Sequence, residues 1–163
     1  LFPLAKSAII ARYQLGGNGK RLAVANLHGI NFSLGTRRFR QQIQAVAGEL
    51  SRHDGPVIFG GDFNTWSRKR HEVLGEEAKR LGLVAVDLRR DNRRSAFGRH
   101  LDHLFIRGFS VVNASSPEVK SSDHNPILVK LVANHTEAKN GARRVALKSG
   151  IRGTKNEGLA DER

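Results

Sequence analysis

Val57-Ile58-Phe59-Gly60-Gly61-Asp62-Phe63-Asn64 is the stretch on which the fold turns. Val57–Gly60 is an apolar run of strand length, and it leads into a carboxylate and an amide two residues apart. In an extended segment Asp62 and Asn64 project from the same face. Gly60 and Gly61 leave room for a close backbone approach or a sharp bend. A carboxylate beside an amide binds a hard cation or orients a water against phosphorus. The plainer alternative is that Asp and Asn only build the turn after a strand.

Working outward, the spacing predicts a helix over Arg37–Arg52. Its apolar residues Phe39, Ile43, Val46, Ala47 and Leu50 form one stripe of a 3.6-residue period. Thr36 is the expected N-cap, and Asp54-Gly55-Pro56 stops the helix. Ser7–Leu15 and Arg21–Leu27 read as two strands of a hairpin around the turn Gly16–Lys20. A second helix is expected from about His71 to Leu81, ending at Gly82. Leu83–Val86, Leu101–Ile106, Ser110–Ala114 and Ile127–Val132 are the remaining strand candidates. The order ββαβα(β)βββ is a mixed α/β pattern.

Three more polar clusters sit at the ends of these runs: Asn26-Leu27-His28, Leu101-Asp102-His103-Leu104-Phe105 and Ser122-Asp123-His124-Asn125-Pro126. Pro126 biases Asn125 toward an extended conformation. Asp123 is a candidate metal ligand, and His124 a candidate for proton transfer or a phosphate contact; the alternative is a capping turn before the last strand. Asp102 and His103 are neighbours in a strand, so only one of them faces the site. Asp102 is expected to hold His124, because a carboxylate fixes an imidazole's tautomer; otherwise it is a solvated strand end. His28 shares a face with Asn26 and is either structural or part of the same site.

The charge balance is 28 Lys and Arg against 15 Asp and Glu, net +13. Residues 1–132 hold 21 basic and 11 acidic side chains, and residues 133–163 hold 7 and 4. The excess therefore lies on the body, where it favours nucleic acid, anionic headgroups or phosphorylated substrates, or serves solubility alone. With no cysteine, disulfides and thiolate metal sites are excluded; this fits the cytoplasm. No stretch approaches the ~20 apolar residues of a membrane span, and residues 1–10 carry no signal-peptide pattern. From Ala133 onward no apolar period is sustained, and residues 133–163 read as a basic flexible tail. The chain contains no Met, position 1 included, and reads as a fragment or a processed product.

Together, N-x-H, G-G-D-F-N, L-D-H-L-F and S-D-H-N-P, in this order, resemble the endonuclease/exonuclease/phosphatase superfamily, the DNase-I-like fold, from about Ser7 to Val132. His28–Ser33, Phe63–Arg68 and Ala96–Arg99 resemble its bacterial YafD-type branch. The resemblance implies a four-layer α/β sandwich and a metal-dependent phosphoesterase, foremost a phosphodiesterase or nuclease. It implies that Asp62 orients or deprotonates the attacking water and Asn64 holds the phosphate. It gives Asp123, with Asp62, to a divalent metal, Mg²⁺ or in its place Mn²⁺. His124, paired with Asp102, contacts the phosphoryl oxygens or acts as acid, and His28 is a second phosphate contact. Other readings are a phosphomonoesterase or lipid phosphodiesterase on the same scaffold, or a basic nucleic-acid-binding fragment without catalysis. A monomer is expected. The superfamily's metal-binding Glu lies in an N-terminal half that has no counterpart here, since Leu1–Leu27 contains no Asp or Glu. The chain thus reads as the C-terminal half to two-thirds of a domain.

Overall fold

The computed structural model describes residues 6–16, 20–31, 33 and 35–134. Most of the strands expected from sequence assemble into one mixed five-stranded sheet. Strand β1 (Ala8–Gln14) pairs antiparallel with β2 (Arg21–Leu27) over its full length, from Ala8 opposite Leu27 to Gln14 opposite Arg21. The chain then crosses through α1 (Arg37–Ser51), and β3 (Val57–Asp62) returns parallel to β2. After α2 (Arg68–Arg80) come the short β4 (Val84–Ala85) and a small hairpin of β5 (Ser95–Ala96) and β6 (Arg99–His100). Strand β7 (Asp102–Arg107) inserts between β3 and β4, giving the order β1-β2-β3-β7-β4. Finally β8 (Phe109–Ser115) and β9 (Leu128–Ala133) form a separate two-stranded sheet.

Alternation along the strands sets the layers. Ala23, Ala25, Leu27, Val57 and Phe59 face the helices and pack with the stripe Phe39, Ile43, Val46, Ala47 and Leu50 of α1, every one of them buried. The opposite face of the sheet, with Ile58, Leu104 and Ile106, packs on Ala114, Val129 and Leu131 of the second sheet. Helices, large sheet and small sheet thus stack as successive layers of the expected sandwich. Leu128 and Val132 of β9, Val111 of β8, and Ile9 and Tyr13 of β1 stay exposed.

The differences from the sequence reading lie at the ends of the helices and in one added hairpin. Thr36 occupies the N-cap of α1, but its side chain makes no capping bond; only its carbonyl accepts, from Arg40 N–H. Helix α2 starts at Arg68, three residues earlier than expected. Ser67 caps it by accepting from Arg70 N–H at 3.4 Å. The stripe of this helix is Arg70, Val73, Leu74, Glu77 and Ala78, so an apolar count misses its two charged members. The hairpin β5–β6 was not expected. Its turn, Phe97-Gly98, has positive φ at both residues, 50° and 73°, an arrangement that costs a bulky residue about 1–2 kcal/mol. The expected turn at Gly17–Gly19 and the tail beyond Asn134 fall outside the described residues. Ala133 still belongs to β9, and Asn134 N–H donates to Gly108 O. No described helix is long and apolar enough to cross a membrane.

Candidate active site

Two carboxylates meet because of strand register. Asp62 ends β3, Asp102 begins β7, and they are direct cross-strand partners in the antiparallel pair. Like charges placed opposite each other are unfavourable in a sheet. The Asp102 pKa is pushed up, first by burial and also by the charge of Asp62, while hydrogen bonding to His124 pulls the other way. His124 arrives from the segment before β9, with Nδ1 at 2.8 and 3.1 Å from the Asp102 carboxylate oxygens. Ser122 Oγ accepts from His124 N–H at 3.1 Å and fixes the local turn. Ligand atoms of Asp62, Asp102 and His124 all lie within 4.8 Å of one another.

The loops after β2 and β3 are stitched together beneath this trio. Gly61 bends the end of β3 at φ +141°, where a Cβ would stand 2.1 Å from Leu27 O. Gly29 N–H donates to Asp62 O at 2.6 Å. Asn64 does not continue the strand, so the expectation of a face shared with Asp62 fails. It turns to φ +52°, a conformation that Asn tolerates better than most residues. Its backbone N–H donates to Asp62 Oδ1 at 2.9 Å, and its buried amide donates to Asp62 Oδ2 at 3.0 Å and to Gly29 O at 3.1 Å. Both amide hydrogens are thereby committed within the protein, and Asn64 here holds the Asp62 carboxylate.

His28 stands at the mouth of the same cleft. Its Nε2 is 3.4 Å from Asp62 Oδ2 and 2.5 Å from Lys6 Nζ. Asp123 also lines the cleft, exposed, but lies outside the compact trio. The cleft holds about 680 Å³ and is bounded by Asp62, Asp102, Asp123, His124 and His28. All six side chains singled out from sequence thus belong to one region, five of them at the cleft and Asn64 just beneath it.

His103, the neighbour of Asp102, points to the other face, as alternation requires. It is buried against Phe63 and Phe105. Its Nε2–H donates to Thr65 Oγ1 at 2.7 Å, whose own hydroxyl donates to His100 O at 2.7 Å. Burial, and next the charge of Arg93, depress its pKa to about 4.

Arg70 was missed in the sequence. It is 1% exposed and has no acidic partner among the described residues. Its guanidinium donates to Ile30 O at 2.5 Å, Asn64 O at 3.2 Å and Ser33 Oγ at 2.8 Å, between the rings of Phe39 and Trp66. It ties the His28 loop to the Asn64 loop. The readable signal was its place on the stripe of α2, one turn before Val73 and Leu74.

Comparison with known proteins agrees with this geometry. The family described as Endonuclease/Exonuclease/phosphatase matches residues 3–124. A UPF0294 protein of Yersinia enterocolitica is 44% identical over 130 residues, 80% of this chain and 50% of that protein. The chain therefore spans about half the length of the curated relatives it matches. An endonuclease/exonuclease/phosphatase family protein of Bacteroides thetaiotaomicron superposes with TM-score 0.63 at 19% identity, covering 80% of this chain and 57% of that one. The mannosyl-6-phosphatase Bt3783 of the same organism gives TM-score 0.60 at 18% identity, covering 78% and 57%. These two likenesses establish the DNase-I-like fold. The family match carries the assignment further: the chain belongs to the endonuclease/exonuclease/phosphatase family.

Proposed function

We propose that this chain carries the water-activating side of a divalent-metal-dependent phosphoesterase, and that the whole protein is a phosphodiesterase or nuclease. The observation that carries the reading is the meeting of Asp62, Asp102 and His124 within 4.8 Å at one end of the sheet. The donor chemistry fits a hard cation. Two carboxylates face each other across the strands, and the charge of one raises the pKa of the other, so a cation on Asp62 relieves a repulsion already present. Oxygen donors in a chain without cysteine suit Mg²⁺, with Mn²⁺ as a substitute. Asp62 and the exposed Asp123 would hold it. When bound, the metal offsets negative charge that builds at phosphorus.

The chain's own residues supply the rest. Asp62, fixed by Asn64, orients the attacking water and accepts its proton. Asp102 holds Nδ1 of His124, which leaves Nε2 to donate to a phosphoryl oxygen or to protonate the departing oxygen as the P–O bond breaks. His28 contacts the phosphate from the cleft mouth. The net charge of +13 draws in an anionic substrate. In this reading residues 1–132 are the catalytic-domain portion, and residues 133–163 a basic tail.

The test is hydrolysis of bis(p-nitrophenyl) phosphate, of its monoester and of plasmid DNA, with Mg²⁺ and with EDTA. It is run on this chain and on the full-length Yersinia enterocolitica relative. Mg²⁺-dependent cleavage of diester over monoester is expected, reduced at least about 10²-fold by Asp62→Asn or its counterpart. Cleavage indifferent to both Mg²⁺ and Asp62, or no cleavage by either protein, would overturn the reading.

A further inference from the structure

Between β4 and β7 the segment Arg89–His100 carries five arginines in twelve residues, with Asp91 as its one acid. Asp91 is already occupied, by Arg93 at 2.6 Å and by His100 at 3.2 Å. Arg93 also donates to Asp102 O at 3.0 Å, which locks the segment against the catalytic strand. Arg89, Arg90, Arg94 and Arg99 have no acidic partner among the described residues. The β5–β6 hairpin rises from this segment, and its tip is Phe97, five residues ahead of Asp102.

Phe97 is in the wrong place for a structural residue. A two-residue turn with positive φ at both positions favours Asn-Gly. Phe97 adopts φ +50° there and is 85% exposed, so the strained backbone is not offset by burial. Its one aromatic neighbour among the described residues is Trp66, edge-on at 6.2 Å, and Trp66 is itself held by a hydrogen bond to Asn31 and by the Arg70 guanidinium. A bare ring on a rigid support, flanked by unpaired guanidinium groups, is the arrangement that stacks an unpaired base while cations track the phosphates. A membrane surface fits less well, because Phe97 stands alone between Arg94, Ser95 and Arg99 with no continuous apolar patch.

We propose that this hairpin rim binds single-stranded nucleic acid, with a base stacked on Phe97 and phosphates on Arg90, Arg94 and Arg99. It rests on the phosphoester reading only in that the bound strand is also the substrate; binding itself is measured without turnover. A fluorescein-labelled oligo-dT 20-mer is titrated in EDTA, followed by anisotropy and by quenching of Trp66, the chain's one tryptophan. Phe97→Asn is expected to weaken binding about tenfold, which is about 1.4 kcal/mol, with Tm unchanged or higher because Asn suits the turn. Phe97→Tyr retains binding. The double change Arg90→Ala and Arg94→Ala is expected to lower the slope of log K against log salt by about 1.4. The proposal is overturned if Phe97→Asn binds like the unaltered chain, if a duplex of equal length competes better than the single strand, or if phosphatidylglycerol vesicles quench Trp66 where the oligonucleotide does not. Because no step of this assay requires hydrolysis, loss of the catalytic reading and loss of the binding rim are separate results.

Discussion

Asp102 and His103 show how one peptide unit serves two environments. Alternation sends Asp102 to the cleft and His103 into the aromatic cluster behind it, so the same strand end supplies a charged group to the site and a neutral one to the core. The two titrations have opposite consequences. His103 is depressed from the ordinary 6.5 to about 4, chiefly by burial. Above pH 6.5 neither the folded nor the unfolded form is protonated, and this group leaves stability unaffected. As pH falls from 6.5 to 4 the unfolded chain takes up a proton that the folded chain refuses, and stability drops by about 3 kcal/mol, levelling off below pH 4. Urea unfolding at pH 7 and pH 4.5 checks this: His103→Gln should flatten the loss, and an equal loss in the variant would remove His103 as its cause. Sequence alone located both residues and the rule that separates them. It did not reveal Thr65 as the hydrogen-bond partner of His103, because that contact spans 38 positions of chain.

At the scale of elements, the loops after β2 and β3 form one unit, and Arg70 is its tie. A buried guanidinium without a counter-ion is expensive unless its hydrogens are used. Here two carbonyls and a hydroxyl take three of them, Nε–H is left without a partner among the described residues, and two aromatic rings cover its faces. Arg70→Ala leaves a cavity and orphaned acceptors, and should destabilise the fold by about 3 kcal/mol. Lys presents a single ammonium where a planar fork bridges two loops, so Arg70→Lys should recover less than half of that loss. Denaturant titrations of the two variants measure both, and full recovery by Lys would mean that charge alone matters. Helix α1 was legible to within a residue, because all its buried positions are apolar. Helix α2 starts three residues before its expected first residue, because Arg70 occupies a core position in the first turn that an apolar period does not count. The β5–β6 hairpin was illegible for a related reason: its turn carries Phe where Asn or Gly would have signalled it. The Asp62–Asn64 face was misread because a strand was assumed to run on past Asp62, where Asn64 instead takes a left-handed conformation.

Across the whole molecule, the layers are built so that the ends of β2, β3 and β7 and the segment before β9 open on one cleft. The four polar clusters of the sequence are the residues at that opening, which is why their order along the chain was informative before any geometry was known. What a linear reading lacked was register: nothing in the sequence states that Asp62 and Asp102 stand directly opposite, and this pairing is what makes a cation site plausible in chemistry and His124 reachable from Asp102. Among the described residues the large exposed apolar strand residues, Ile9, Tyr13, Val84, Val111, Val112, Leu128 and Val132, lie on the outer strands of the two sheets. The central claim is that Asp102 and His124 act as one catalytic unit beside Asp62. The direct measurement is a double-mutant cycle on Mg²⁺-dependent phosphodiester hydrolysis, with Asp102→Asn, His124→Ala and both together, in this chain and at the matching positions of the Yersinia enterocolitica relative. Each single change should lower kcat by at least about 10²-fold, and the double should be no slower than the worse single, because residues acting as a unit are not additive. Losses that multiply in the double variant, or single variants that retain full turnover, would contradict it.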